Sequence, residues 1–459
     1  MGEHTGRKPR VVVLGGGFGG LSTVRALRKV DVDVILIDRH TYNTFQPLLY
    51  QVATATLNPG DVTWFLRAVR EHNPRVRFIN GDVETIDHDA RQVKLEGGES
   101  VDFDHLVIAT GVTANFFGIP GADEHALPLY TRAQALEVRD RLFTGLEYAA
   151  AHRKGEDVRV VVVGGGATGV ETAGALAELR NNDMPVTYPE LDRTRTHVTL
   201  IEMAPHLLAA FGEKSRDYAR RSLEKRDVDL RFNTTVKQVR SDGVVVNDGE
   251  FIPAGVVIWA SGIKAPDEVA NWGVPQGRGG RIEVDDHLRV KGLKNVFAVG
   301  DISVEDGDRA LPQLAQPALQ GGAYVAKLIR NEMNGEQTAP FEYKDKGILA
   351  TIGRSSAVAE ATNLPRMQGF PAWVVWTGVH VFTLLGVRNR AAAMVNLGSR
   401  YLFWHRSHNA IVGDTPTAQT LRPEQMQQLM AERDASPVAI EGDGTPAALA
   451  DRGETGSHS

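Results

Sequence analysis

The sequence predicts an α/β fold made of two similar βαβ-type units followed by an amphipathic helical region, and three observations carry that prediction. Two β-type runs, Val11 to Leu14 and Val158 to Val163, each lead straight into a glycine cluster and then into an Ala- and Leu-rich helical pattern. Short apolar runs separated by polar turns recur around them: Val34 to Ile37, Val76 to Ile79 and Leu106 to Ile108, then His197 to Glu202, Val228 to Phe232, Val244 to Val246, Val256 to Ala260 and Val296 to Val299. From Ala361 to Gly413 there is no Asp or Glu, while Arg366, Arg388, Arg390, Arg400 and Arg406 remain. Helices are expected from Arg132 to Arg153 and in a stretch ending near Gly335, after which the sheet-building pattern stops.

The chain has 459 residues, a length that accommodates two or three domains. With 42% apolar and 24% charged residues it has a globular composition. A net charge of −6 without a clustered basic face argues against nucleic acid as a partner. There is no cysteine, so disulfides, thiolate nucleophiles, iron–sulfur clusters and Cys-ligated zinc are all excluded. No cluster of residues with metal-ligand spacing is evident, and no metal is expected. The N-terminus lacks an apolar segment with a cleavage site, so a cytosolic station is expected.

In VVVLGGGFGGLSTVRAL, Gly15, Gly17 and Gly20 fit GxGxxG directly after a strand, and Asp38 ends the next strand. Gly15 permits the tight turn, Gly17 lets backbone approach a pyrophosphate, and Gly20 lets the helix pack on the strand. The helix N-terminus attracts the anion, and Asp38 is placed to accept from an adenosine ribose. VVVVGGGATGVETAGALAEL repeats the pattern with Gly164, Gly166 and Gly169, and Glu202 ends its second strand after a polar insertion, Asn181 to Thr196. A carboxylate there repels the 2′-phosphate of NADP, so NADH is expected; His206 and Lys214 downstream leave some NADPH use open. The units are therefore Rossmann-like dinucleotide-binding domains.

Ala109-Thr110-Gly111 ends a strand returning to the first loop, and Val299-Gly300-Asp301 ends another. With these segments the chain resembles the two-dinucleotide-domain flavoprotein reductases. The resemblance implies FAD on the first loop, the ATG segment beneath it, Asp301 on the ribityl or pyrophosphate part, and the nicotinamide donor on the second loop. Members that use a cysteine or cysteine pair are excluded, so the electron acceptor must be non-thiol.

LPQLAQPALQGG follows Asp301 closely. Pro317 at a first helical position would make Gln316 the cap, and the helix N-terminus would suit an anionic reduced flavin. Gln316 and Gln320 lie one turn apart and can address one region, although spacing alone equally allows them to cap and solvate a helix end. On AQPALQ and on TFQPLLYQVAT, Thr44 to Thr54, the chain is similar to the type II NADH dehydrogenases, the single-subunit, non-proton-pumping NADH:quinone oxidoreductases. That resemblance covers residues 10 to about 410. It implies that Gln316 and Gln320 line a quinone site, that Glu171 lies near both substrates, and that Lys346 approaches the site. It further implies one non-covalent FAD held by Gly15, Gly17, Phe18, Gly19, Gly20, Asp38, Arg39, Gln46, Val83, Ala109, Thr110, Gly111, Gly300, Asp301, Ala315 and Gln316. NADH would meet Gly164, Gly166, Thr168, Gly169, Glu171, Glu202, Ser261 and Gly262. Read independently, a carboxylate at Glu171 gains about 0.3 to 1 kcal/mol from the helix dipole, so capping and proton delivery to quinone both remain open.

Phe370 to Val387 contains no Lys, Arg, Asp or Glu. With Pro371 starting the helix and Arg388 ending the uncharged part, it spans about 24 Å, short of the roughly 30 Å hydrocarbon core. A surface-lying hairpin is expected, with Met394, Leu397, Tyr401 and Trp404 at helical spacing and Trp373, Trp376, Trp404 and the arginines at the lipid interface. His380 is left unassigned. The resemblance makes this region the membrane anchor.

The expected organisation is an FAD domain in two parts, 10–120 and 286–340, around an NADH domain, 121–285. A quinone- and membrane-binding region, 341–413, and a polar, disordered tail, 414–459, follow. The expected protein is a peripheral homodimer on the cytoplasmic face of the cell membrane. Alternatives are a soluble ferredoxin- or rubredoxin-type reductase and a redox-sensitive binding module.

Overall fold

The computed structural model describes residues 7–403 apart from 153–156, 248, 306–310 and 363–364. The expected tail, Trp404 and Arg406 lie outside the described residues. The chain begins with β1 (Arg10–Leu14), α1 (Phe18–Ala26), β2 (Asp33–Asp38), β3 (Val76–Asn80) and β4 (His105–Ile108). It continues with β5 (Ala126–Pro128), α2 (Arg132–His152), β6 (Val158–Val163), α3 (Ala167–Glu178), β7 (Thr196–Ile201), α4 (Glu213–Glu224), β8 (Val228–Arg231) and β9 (Val256–Trp259). It then returns with β10 (Val296–Ala298) and α5 (Ala315–Met333).

Two five-stranded parallel sheets result, in the orders β10-β4-β1-β2-β3 and β5-β9-β6-β7-β8. The strand that precedes each glycine cluster is therefore central in its sheet. Its Val-rich sequence suits that place, because a parallel strand is covered on both faces: Val11, Val12, Val13 and Leu14 are all fully buried. Leu14 pairs with both Ile37 and Ile108, and Ile108 pairs with Ala298. The residues after these strands, including Asp38, Thr110 and Asp301, consequently emerge at one edge of the first sheet.

The loops need glycine for the reasons the motif suggests. Gly15 and Gly164 take φ of +96° and +111°, and a Cβ on Gly20 or Gly169 would collide with the carbonyl oxygen of Gly15 or Gly164. Both helices start from glycine N-caps, Gly17 and Gly166, that supply no side-chain acceptor, so their first-turn N–H groups are not satisfied by a cap.

Three expectations are corrected. The sheet-building pattern does not stop near Gly335: β11 (Ile348–Gly353), β12 (Ser356–Glu360) and β13 (Met367–Gln368) form an antiparallel sheet. Several of its buried positions are small, Ala350, Ala357 and Ala359 beside Ile352 and Val358, which weakens the apolar alternation. Second, α5 starts at Ala315 with Leu314 as N-cap, so Pro317 is the third helical residue and Gln316 does not cap the helix. Proline is tolerated there because the first four N–H groups of a helix have no internal partner. Third, in the two C-terminal helices, α6 (Phe370–Thr383) and α7 (Val387–Phe403), which part at Leu384 to Gly386 where Gly386 has φ +81°, the expected interfacial positions differ in burial. On α7, Leu397 and Ala393 are buried while Met394 and Val395 are exposed, so Met394 and Leu397 do not share one lipid-facing stripe.

Gly20→Ala is expected to cost about 1–3 kcal/mol, since the methyl would collide with the Gly15 carbonyl oxygen while Gly15 N is tied to Ile37 O of β2. Gly60→Ala, where nothing lies within 4 Å of the added methyl, should stay within about 0.5 kcal/mol of the parent. Denaturant midpoints of the two variants test this difference.

Candidate functional site

Each loop is tied to the acid at the end of the neighbouring strand. Asp38 Oδ2 accepts from Gly16 N at 2.5 Å and Oδ1 from His40 N at 2.7 Å; Glu202 Oε2 accepts from Gly165 N at 2.6 Å and Oε1 from Ala204 N at 2.7 Å. Burial raises the Asp38 carboxyl above its ordinary value, and the Gly16 and His40 N–H groups oppose that. The acids thus shape the loops first, and a carboxylate's further lone pairs remain for a ribose. Asn43 Nδ2 adds a bond to Gly16 O at 2.7 Å.

The edge of the first sheet fits a dinucleotide. Gly17 and Gly111 face open space, with no atom closer than 4.0 Å to a notional Cβ. The buried Thr110 Oγ1 has no hydrogen-bond partner among the described residues. Asp301 is pushed up to about 6 by burial, opposed by the Tyr130 hydroxyl, which donates to its Oδ2 at 3.1 Å, and by Arg281. Arg39 instead pairs with Asp82 and Glu268 at the rim. Gln46 is exposed, Val83 is half-buried at the start of a short strand, Val83–Asp87, and Ala315 is half-buried at the first position of α5.

The second loop borders a cavity of about 280 Å³ lined by Gly164, Gly166, Glu202, His206, Ser261 and Gly262 among others. Thr168 and Gly169 lie in the first turn of α3, where Thr168 O accepts from the Thr172 hydroxyl. Glu171 does not line this cavity. Its side chain is buried and accepts at Oε1 from Thr351 N on β11 and from Trp376 Nε1 on α6, both at 3.2 Å. Burial raises its pKa to about 8 against these two donors. One oxygen takes both donors, which leaves Oε2 to carry the proton.

An aromatic run joins this carboxyl to the first loop. Trp376 stacks on His380 at 4.2 Å, His380 meets Phe45 edge-on at 6.3 Å, and Phe45 meets Phe18 at 5.7 Å; Tyr50 lies 6.4 Å from Trp376. His380 Nδ1 bonds the Trp376 carbonyl at 2.7 Å and so carries the hydrogen; burial pulls the ring down to about 4, keeping it neutral. Trp376 is therefore an inward-facing residue of the site and not an interfacial indole. Trp373 is half-buried.

Gln320 binds backbone on both sides of its amide: Nε2 donates to Lys344 O and Oε1 accepts from Lys344 N, each at 3.0 Å. It fixes the segment that carries Lys346, which is exposed. Gln316 is half-buried in the first turn of α5. Tyr130 and Thr351 escape sequence reasoning because no motif marks them, and Trp376 is assigned by its composition to the lipid interface instead. Asp285, Asp286 and His287 form a cluster that sequence also missed, but Asp286 and Thr338 O occupy the His287 ring and Asp285 holds backbone N–H groups.

Glu171 makes stability depend on pH. Below about 4.5 the carboxyl is protonated in both folded and unfolded chains. As pH rises toward about 8 the unfolded chain ionises while the folded one keeps its proton, so the folded state loses stability through that window. Glu171→Gln is expected to remove this loss, its melting temperature gaining on the parent's between pH 5 and pH 9; an unchanged difference would contradict the assignment.

Residues 9–322 match the family described as pyridine nucleotide-disulphide oxidoreductase. The chain is 34% identical over 448 residues to the type II NADH:quinone oxidoreductase Ndh of Mycobacterium tuberculosis, covering 94% of this chain and 96% of that one. It is 33% identical over 372 residues to the type II NADH:quinone oxidoreductase of Staphylococcus aureus, covering 78% and 91%. The structure of NDH2 from Plasmodium falciparum in complex with NADH superposes with a TM-score of 0.79 at 21% identity, over 86% of this chain and 99% of that one. Two parallel sheets with acid-tied glycine loops, a third sheet and a full-length likeness of this extent place the chain in the pyridine nucleotide-disulphide oxidoreductase family, among the type II NADH:quinone oxidoreductases.

Proposed function

We propose that the protein holds one non-covalent FAD on its first loop and passes electrons from NADH to a membrane quinone without pumping protons. The observation that supports this most is the buried Glu171, bonded by Trp376, linked by an aromatic run to the first loop and set in the helix that follows the second. When bound, the flavin supplies two-electron chemistry between a hydride donor and a quinone.

The chain's own residues do the rest. Uncapped N–H groups at the starts of α1 and α3 bind the two pyrophosphates. Glu202 accepts from a ribose and repels a 2′-phosphate. The Tyr130 hydroxyl holds Asp301, which would accept from the ribityl or pyrophosphate part of the flavin nucleotide. Glu171 Oε2 delivers a proton to the reduced quinone, and a carboxyl near pH 8 is matched to that task at neutral pH. Gln316 addresses the quinone directly, whereas Gln320 acts by holding the segment from Lys344 to Lys346.

Phe370, Val374, Val379, Phe382, Val387, Met394 and Val395 are exposed on α6 and α7, and no helix among the described residues is long and apolar enough to cross a membrane. Both features support peripheral attachment through these helices. The proposed assembly is a homodimer on the cytoplasmic face of the cell membrane.

Purified protein should release FAD on denaturation and oxidise NADH with a soluble quinone faster than with a ferredoxin. Glu171→Gln should lower the quinone-dependent rate by about 10² or more. Full quinone turnover in a Gln316→Ala, Gln320→Ala double variant would overturn the acceptor assignment, and faster reduction of ferredoxin would favour a soluble reductase.

A further inference from the structure

A second cavity, of about 810 Å³, lies away from both glycine loops, between the end of α3, the helix α4 and the turn joining β11 to β12. Arg221, Lys225, Arg226 and Arg354 line it, against one carboxylate, Glu178. That carboxylate is already engaged by the backbone N–H of Arg354. The cavity therefore carries an excess of positive charge in a chain whose net charge is −6.

The cations are arranged for an external anion. Arg221 in the last turn of α4 and Lys225, the C-cap residue that follows it, stand one turn apart, both exposed, and neither is in an ion pair with a described residue. Arg220 on the same helix does not line the cavity and is paired with Glu224 at 2.9 Å. Arg226 is held in place by its bond to Ser222 O at 2.9 Å. Hydroxyls and amides of Ser355 and Asn182 complete a lining rich in donors.

The wall of this cavity continues into the C-terminal apolar helix. Tyr218 lines the cavity, bonds Ser356 Oγ at 3.2 Å, and lies against Gly369, the residue before α6. There Phe370, 57% exposed, stacks on Trp373 at 5.8 Å, and Val374 is 47% exposed. A donor-rich cationic cavity thus borders an aromatic, apolar ledge.

We propose that this cavity binds the phosphate of an anionic phospholipid headgroup, with the acyl chains lying over Phe370 and Val374. The two halves of the site match the two halves of such a lipid; a soluble phosphate compound would use the cations and leave the ledge bare. The proposal rests on peripheral membrane attachment through α6 and adds to it a discrete headgroup site in place of diffuse attraction.

The test is co-sedimentation of the full-length, flavin-loaded protein with phosphatidylcholine vesicles, with and without phosphatidylglycerol. Arg221→Ala, Lys225→Ala should lower affinity for the anionic vesicles roughly tenfold or more. The control pair Arg216→Ala, Arg220→Ala removes the same charge from the same helix outside the cavity and should lose less than about threefold. Both pairs should keep the parent's rate with a soluble quinone. Equal losses in the two pairs would overturn the proposal in favour of diffuse attraction. Protection of the cavity by inorganic pyrophosphate, with vesicle affinity unchanged in the cavity variant, would assign the site to a soluble phosphate and overturn the lipid. Failure of the parent protein to bind any vesicle would instead sink the membrane reading on which the proposal rests.

Discussion

A carboxyl group taken out of water with no cation beside it keeps its proton, and the candidate site depends on Glu171 doing so. Its neighbours among the described residues are a backbone N–H and an indole N–H, which stabilise the charged form by less than burial disfavours it. An arginine in place of either donor would hold the group ionised and leave nothing to give away. The three elements that meet there, α3, β11 and α6, come from the second unit, from the small antiparallel sheet and from the C-terminal helices. Packing these parts together creates the dry environment, so the protonation state of one residue reports on the assembly of the whole site.

The duplicated βαβ units supply the rigid frame. In each, an acid at the end of the second strand gives hydrogen-bond acceptors to the glycine loop, and this fixes the loop before any nucleotide arrives. Preorganisation of that kind leaves the backbone N–H groups of each helix start ready for an anion. The two units then differ in what their edges carry. The first gathers Thr110, Tyr130 and Asp301 at one edge, and the second opens a small cavity beside Glu202.

Local pattern made the frame legible. Valine runs meeting GxGxxG identify β1 and β6, and every strand of the first sheet is readable as an apolar run between turns. Ala126–Pro128 is too short, and contains a proline, to announce itself as a strand of the second. The antiparallel sheet of β11, β12 and β13 was hidden because alanine and glycine give little periodic contrast. Asp38 and Glu202 were legible as acids at the ends of their strands, but their bonds to the loops were not. The contacts that make the site are the least legible: Thr351 and Trp376 reach Glu171 across 180 and 205 residues, and Tyr130 reaches Asp301 across 171. Gln320 shows the same limit, since its spacing to Gln316 says nothing of the Lys344 backbone that occupies it.

The most direct check on this account is the infrared carbonyl stretch of a protonated carboxylic acid, followed by difference between the parent protein and Glu171→Gln across pH. The account predicts a band present at pH 7 in the parent, absent from the variant, and titrating away near pH 8. A parent spectrum in which that carboxyl is already ionised at pH 6 would contradict it.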